Sequence, residues 1–535
     1  MSVVTSAVQP ASLARDVRAG FLVFLIALPL CLGISLASGF PPVAGILTAI
    51  VGGCLASVLG SSRLTIKGPA AGLIVIAIGA VTELGQGDMT VGYHRALAVG
   101  VVAAVIQIIF ALLRLANLGI TMSRSVVHGM LAAIGVIIIA KQSHVLMGVK
   151  PAGKEIVDLL LEIPNSLMHA NPEVMLVGVV SLLILVVWPR LRFGWAKVIP
   201  APLVVLAVAV PLSAMFHLGA AHVYYFGGHP FEVGPHYLVQ LPGHLMDSIS
   251  FPDFSAILSG TSIKYIVMFA LVGSIESTLS VVAVDAMDPA RKTSNLNKDL
   301  FAVGVGNLVA AGIGGLPMIS EIVRSKANVD AGAQSARANF THGLCLLAFV
   351  AFAPKLLGLI PLAALAAMLV YTGSRLASPH ELVHVKQIGM DQLALFVTTM
   401  LMTLLTDLLI GVAAGLLLKF VLHAIRGASP AKLFSSDVTV DPEGDSVRLK
   451  VRGTAAFPSL LRLRSALESV PANTSTVIID LSETILVDHT FLSGIASITQ
   501  ERIGTTISIR GHDHLKPASD HPQATRWLGS KSSAT

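Results

Sequence analysis

Charge is what this chain has least of. Only 12% of its 535 residues are Asp, Glu, Lys or Arg, about half the ~25% of an ordinary soluble domain. Together with 54% hydrophobic residues and a mean hydropathy of +0.79, that scarcity excludes a water-soluble globule. Cysteine is scarce too. The three present, Cys31, Cys54 and Cys345, all lie inside apolar runs, which excludes a disulfide framework or thiolate metal site and leaves small buried hydrophobes. No basic, aromatic-studded patch accompanies the net charge of +6. The Lys and Arg are scattered through short loops, so no nucleic-acid partner is expected. No nucleophile–base or metal–ligand constellation is spaced for catalysis, so neither an enzyme nor a cofactor is expected. No cleavable leader is expected either. The first apolar run, about Phe21 to Ser38, exceeds the ~7–15 residues of a signal core and is expected to stay as the first span.

What the chain does have is a series of apolar runs near the ~20 residues needed to cross a lipid bilayer. About fourteen candidate spans form two groups of seven. The first group lies near 19–38, 43–60, 66–83, 95–115, 124–146, 174–190 and 198–216; the second near 262–284, 299–314, 317–330, 339–358, 360–375, 391–405 and 407–424. An odd number per group turns the second upside down relative to the first, so the pattern predicts an inverted repeat, about 19–216 and 262–424, within a membrane domain of residues 19–426. From His217 to Ile263 there is no Lys or Arg, whereas Arg190, Arg192, Lys197, Arg291, Lys292, Lys298, Arg375 and Lys386 sit in loops on the opposite side. The positive-inside rule then makes residues 1–18 cytoplasmic, with Lys150 and Lys154 a mild exception. The charge-free loop carries His217, His222, His229, His236 and His244. Their spacing matches no ligand pattern, so exposed loop histidines are expected rather than a metal site.

After Leu422 the pattern changes. Ser446–Val451 alternates as a half-buried strand does, and Phe457, Leu460, Leu461 and Leu467 mark one helical face. Val477–Asp480 reads as a buried strand, Leu492–Ile498 as a second helix and Thr506–Arg510 as another strand. The alternation predicts a small α/β domain over 431–511, cytoplasmic by the even span count, followed by a disordered polar tail over 512–535.

Two features could carry chemistry. The third and tenth spans are short and broken, by Lys67-Gly68-Pro69-Ala70-Ala71-Gly72 and by Gly315-Leu316-Pro317 leading to Ser320, Glu321 and Ile322. Broken helices in a membrane point backbone N–H groups and a positive dipole end at whatever lies there, which predicts a site for a small inorganic anion near the midplane. Four ionisable residues accompany them: Lys67, Glu276, Glu321 and Arg324. A charge at the bilayer centre costs about 2.5–3.5 kcal/mol on insertion scales, so each is a functional candidate. Glu276 lies in a polar belt, Gly273 to Ser280, whose hydroxyls could coordinate an ion. Lys67 and Arg324 would attract the anion, and Glu276 or Glu321 would couple its entry to H+ or Na+. The alternative is that these charges pair with one another and hold helices in register. Arg324 could also face the cytoplasmic loop.

With these residues in view, the chain resembles the sulfate permease (SulP) family, the bacterial relatives of mammalian solute-carrier anion exchangers. The resemblance rests on Ala27 to Leu30, the Gly68-Pro69 break, the Gly273–Ser280 belt, the Gly315-Leu316-Pro317 break with Arg324, and a C-terminal domain similar to STAS (anti-sigma-factor-antagonist-like) domains. It implies an α-helical membrane protein of 14 spans arranged as a 7+7 inverted repeat with core and gate domains, plus the small cytoplasmic STAS-like domain. It also implies a homodimer in the inner membrane with both termini cytoplasmic, and secondary active, elevator-type transport of a sulfate- or bicarbonate-class anion. Carried over by position, Gly68, Pro69 and Ala70 would face Ser320, Glu321 and Ile322 around the substrate, with Glu276 and Ser280 at the cation position of sodium-coupled members. The chain departs from the family at Lys67, where Ser or Thr is usual, at Glu321, and at Pro42–Leu47, which lacks the family's aromatic. Asp488-His489-Thr490 stands where phospho-regulated antagonists carry Ser, so His489 argues against that switch, although a cytoplasmic regulator of the domain remains open. A nucleobase carrier of the same fold, holding its ring through Glu276 and Glu321, and a membrane sensor working through the C-terminal domain are the alternative readings.

Overall fold

The computed structural model describes residues 12–119, 122–153, 155–192, 194, 199–240, 248–290, 292–428, 437–443, 446–471, 474–501 and 505–528. Lys154, Lys197, His244, Arg291 and the end of the chain from 529 onward lie outside them. Helices dominate, and each of the apolar runs carries one. In the first half these are α1 (Leu13–Ala37), α2 (Pro42–Leu59), a short strand β1 (Ile66–Pro69) running into α3 (Ala71–Gly85), α4 (Met89–Leu112), α5 (Arg124–Leu146), an amphipathic α6 (Ile156–Met168), α7 (Pro172–Arg190) and α8 (Ala201–Met215). A hairpin of β2 (His222–Phe226) and β3 (His229–Val233) occupies the loop without Lys or Arg. The second half repeats the plan: α9 (Gly260–Met287), α10 (Leu296–Gly312), β4 (Met318–Glu321) running into α11 (Ile322–Asp330), α12 (Arg337–Phe352), α13 (Leu362–Leu376), a short α14 (Pro379–Ile388), α15 (Met390–Leu405) and α16 (Leu408–Ile425). Among the described residues, seven helices are long and apolar enough to cross a membrane unaided.

The chain divides into two compact units, residues 1–116 with 134–376 and residues 117–133 with 377–535. In the first, the two repeats reach into each other: α1 lies against α11 and α12, α4 against α10, and α9 against α3 and β4. Pro42 opens α2 at a position where its missing N–H costs nothing. A π-turn at Gly52–Ala56 then lets α2 come so close to β1 that a methyl on Gly52 would stand 2.2 Å from the Lys67 carbonyl oxygen.

In the second unit the C-terminal strands form one sheet. β5 (Asp437–Glu443) and β6 (Ser446–Ala455) pair antiparallel, and β6, β7 (Thr476–Val487) and β8 (Thr506–Arg510) pair parallel. The parallel connections run through α17 (Phe457–Ser469) and α18 (His489–Glu501). Leu449, Val451, Leu460, Leu463, Val477, Ile479 and Phe491 form its buried core. The polar tail departs from expectation. Residues 512–528 are ordered: β9 (Lys516–Pro517) and β10 (Arg526–Trp527) extend the sheet, with Arg526 opposite Val487 and Trp527 opposite Leu486. A polar composition concealed this, because the segment is held by backbone pairing and by Trp527, whose ring lies under the Arg426 guanidinium at 4.4 Å. Asp488 caps α18 by accepting from the Phe491 amide at 2.6 Å, and it pairs with Lys419 of α16 at 2.9 Å. Thr490 is buried, and its hydroxyl accepts from the same Lys419.

Candidate functional site

The two broken spans meet. β1 and β4 pair antiparallel, with Ile66 opposite Glu321, Lys67 opposite Ser320, Gly68 opposite Ile319 and Pro69 opposite Met318. The residue before a proline is driven out of the helical region, so Gly68 and Leu316 force extended backbone at these places. Extended backbone inside a membrane must find partners, and each break supplies them to the other. The sequence predicts a break leading into a helix at each of these places, with no strand. The structure instead begins each with four residues of strand, and the helices start only at Ala71 and Ile322.

A two-stranded sheet still has two open edges, and side chains close them. Asn307 of α10 takes both groups of Met318, its Oδ1 accepting from the Met318 amide at 2.5 Å and its Nδ2 donating to the carbonyl at 3.0 Å. Gln107 of α4 orients that amide by accepting from the same Nδ2 at 2.8 Å. Ser277 accepts from the Ser320 amide, Ser325 from the Ile66 amide, and Thr48 donates to the Leu316 carbonyl. A cavity lined by Leu73, Gln107, Phe269, Asn307 and Pro317 adjoins the sheet. It has room for roughly one water.

The charged candidates separate. Lys67 does not face an anion site. Its ammonium, fully buried, stands 3.0 Å from Asp299 Oδ1 and also donates to Thr65. Asp299 further accepts from the amides of Ser61 and Ser62 and from the Ser320 hydroxyl. Alternation along the strand is the reason: Lys67 points to the side of the sheet where α10 packs, so the pairing reading holds for this residue. Arg324 does not face the cytoplasmic loop. It is 1% exposed, and its guanidinium donates to the Pro69 carbonyl and lies 3.5 Å from Cys31 Sγ of α1 and 3.4 Å from Glu321 Oε2. It therefore ties the second half-helix to the end of β1. Glu321 caps α11, Oε2 accepting from the Arg324 amide at 2.8 Å, and so takes up one of the free N–H groups and the positive dipole end at that helix start.

At the other half-helix the relation is with α9. The Glu276 carboxylate lies against Gly72, so closely that a methyl there would stand 2.3 Å from Oε2. Glu276 is 93% buried by its 7% exposure, and its Oε1 has no hydrogen-bond partner among the described residues. The hydroxyls of Ser274 and Thr278 bond back to carbonyls of their own helix, which satisfies the belt without help from Glu276. Ser280 is buried one turn further along. Gly68, Pro69, Ala70, Ser320, Glu321, Arg324 and Glu276 thus share one locality, while Ile322 turns its side chain to an exposed face at 42%. Sequence reasoning missed Asp299, Asn307, Gln107 and Cys31. Of these, only Asp299, an acid opening an apolar run, carried any signal. Among the described residues, which include His217, His222, His229 and His236, no three His, Cys, Asp or Glu side chains converge.

Comparison with known proteins bears on the family and the fold. The model of the sulfate permease family matches residues 13–401. YvdB of Bacillus subtilis, named for sulfate transport, is 27% identical over 482 residues, spanning 89% of this chain and 86% of its own. The bicarbonate transporter BicA of Picosynechococcus is 25% identical over 449 residues, 83% of this chain and 76% of its own. Among solved structures, the transmembrane domain of a cyanobacterial BicA superposes with a TM-score of 0.63 at 22% identity, covering 75% of this chain and 97% of that one. SLC26A9 superposes at 0.64 and 15% identity, covering 96% and 85%.

Proposed function

Because this multi-pass membrane chain belongs to the sulfate permease family, we propose that it is a secondary active transporter of a small inorganic oxyanion of the sulfate/bicarbonate class. The relatives' names support the class. It is a transporter, not an enzyme. The observation that carries the mechanistic reading is the Glu276 carboxylate, buried, with one oxygen unpartnered, against the start of α3. A carboxylate left so in a dry bundle demands a cation or a proton. Glu276, with Ser280 nearby, is therefore where Na+ or H+ enters the cycle. When Glu276 is neutralised, the amides of Ala71 and Gly72, which no side chain caps, become available to the anion. Substrate then sits between Gly68–Gly72 and the Ser320–Arg324 segment, and the paired half-helices move as one body in an elevator-type exchange. The protein works in the inner membrane as a homodimer with cytoplasmic termini, and the C-terminal α/β domain receives any cytoplasmic regulator.

Uptake of labelled bicarbonate and sulfate into proteoliposomes, with and without Na+ or a pH gradient, tests this reading. Cation-dependent uptake of either anion supports it. Unaltered coupled uptake by a folded Glu276→Gln protein would remove Glu276 from the mechanism.

A further inference from the structure

Both half-helix starts already face a carboxylate of the protein's own. Glu321 accepts from the Arg324 amide at the start of α11 and stands 3.4 Å from Arg324 Nε. Glu276 lies against Gly72 at the start of α3. The cations of the locality are committed in the same way. Lys67 is cancelled by Asp299 at 3.0 Å, with side-chain exposures of 0% and 1%. Arg324, besides its pairing with Glu321, donates to the Pro69 carbonyl and to Cys31. Among the described residues, Glu276 is then the one charge of this locality left uncompensated. Once a coupling cation or proton neutralises it, the site's remaining attraction is the start of α3, worth about half a unit charge. That suits one negative charge and leaves a second without compensation in a dry environment, where an unpaired charge is strongly disfavoured.

We propose that Glu321 sets the valence of the cargo: by neutralising Arg324 and occupying the start of α11, it restricts the site to monovalent oxyanions and excludes dianions. The proposal rests on the transport reading above and narrows it. Discrimination here works by a built-in repulsive element, as specificity commonly does. It also accounts for an acid at a position where an anion carrier gains nothing from one in attraction. Glu321 is 16% exposed, so it remains within reach of an incoming anion.

The test uses the full-length protein in proteoliposomes at fixed Na+ and pH, with labelled bicarbonate, nitrate and sulfate. Nitrate is monovalent at every working pH, which separates valence from the protonation of bicarbonate. The wild type should carry or be inhibited by the monovalent anions and ignore sulfate. Glu321→Gln keeps an oxygen for the Arg324 amide, so the cap survives and only the charge is lost. It should raise sulfate flux relative to bicarbonate by about tenfold or more. Glu321→Asp restores the charge and should restore the monovalent preference. Sulfate uptake by the wild type at a rate comparable with bicarbonate, or an unchanged ratio in Glu321→Gln, overturns the filter and leaves transport standing. If no anion moves through wild type or variants that remain folded by thermal unfolding, the transport reading itself fails and the filter with it.

Discussion

Lys67 of β1 and Asp299 of α10 form an ion pair of 3.0 Å in which neither side chain reaches solvent. A cation that sequence alone assigned to the substrate is thereby a clamp between the first broken span and the ninth. Removing one partner strands a buried charge, a loss of about 3–5 kcal/mol. Asp299→Asn should therefore lower the unfolding temperature of the detergent-solubilised protein sharply. The double variant Lys67→Met/Asp299→Asn, which removes both charges and keeps acceptors for Ser61 and Ser62, should recover most of that stability together with uptake. A stable Lys67→Met protein that has lost all anion binding would return Lys67 to the substrate.

Gly72 has a steric role. Ala at this position would place its methyl 2.3 Å from Glu276 Oε2 and 2.5 Å from Oε1. The clash is with the end of a side chain rather than with backbone, so the carboxylate can swing aside and the fold should survive. Gly72→Ala should lose cation-coupled uptake while its melting temperature stays within a few degrees of wild type. Uptake assays beside thermal unfolding in detergent decide it.

Asn307 holds the edge of β4. Its amide satisfies both the N–H and the C=O of Met318. Asn307→Ala leaves two buried backbone groups unpaired, at about 1–3 kcal/mol each. Asn307→Asp retains the acceptor but not the donor, so it should fall between Ala and wild type in unfolding temperature. Equal stability of all three would mean that the sheet edge is satisfied in some other way.

Lys419 and Asp488 are the corresponding pair in the second unit, at 2.9 Å with side-chain exposures of 4% and 1%. Burial alone would raise the Asp488 carboxyl, but the Lys419 ammonium beside it and the Phe491 amide hold it below its ordinary value. A depressed folded-state value means that the stabilisation is complete above the unfolded value of about 4 and is lost only as pH falls through the lower folded one. The pair should thus contribute equally from pH 5 to 8, and Lys419→Met should destabilise this unit by about 3–5 kcal/mol across that whole window. Limited proteolysis of the C-terminal domain, compared at pH 5, 6 and 8, reads the effect. A loss confined to the acidic end would contradict it.

The fold was legible because a bilayer forbids most alternatives. Runs of apolar residues near span length, an odd number per half and the Pro-bearing breaks at 68–69 and 315–317 were sufficient for the helices and the repeat. The ladder of β6, β7 and β8 was likewise readable from alternation at 446–451 and from the apolar run at 477–480. The ordered segment 512–528 was not, since its backbone pairing to Leu486 and Val487 leaves no periodic trace over two-residue strands.

What the sequence by itself determined was a membrane bundle with two interrupted spans and four ionisable residues placed among them. Helix breaking by proline and burial of apolar length are local properties, readable residue by residue. Only the tertiary structure decided which of those four charges are spent on each other. Lys67 met Asp299, more than two hundred positions away in the chain, and Arg324 met Glu321 and the Pro69 carbonyl, while Glu276 was left beside Gly72 with an oxygen unpaired. Pairing depends on which faces of distant elements meet across a strand register, and one residue of slippage in β1 would have turned Lys67 to the opposite side of the sheet.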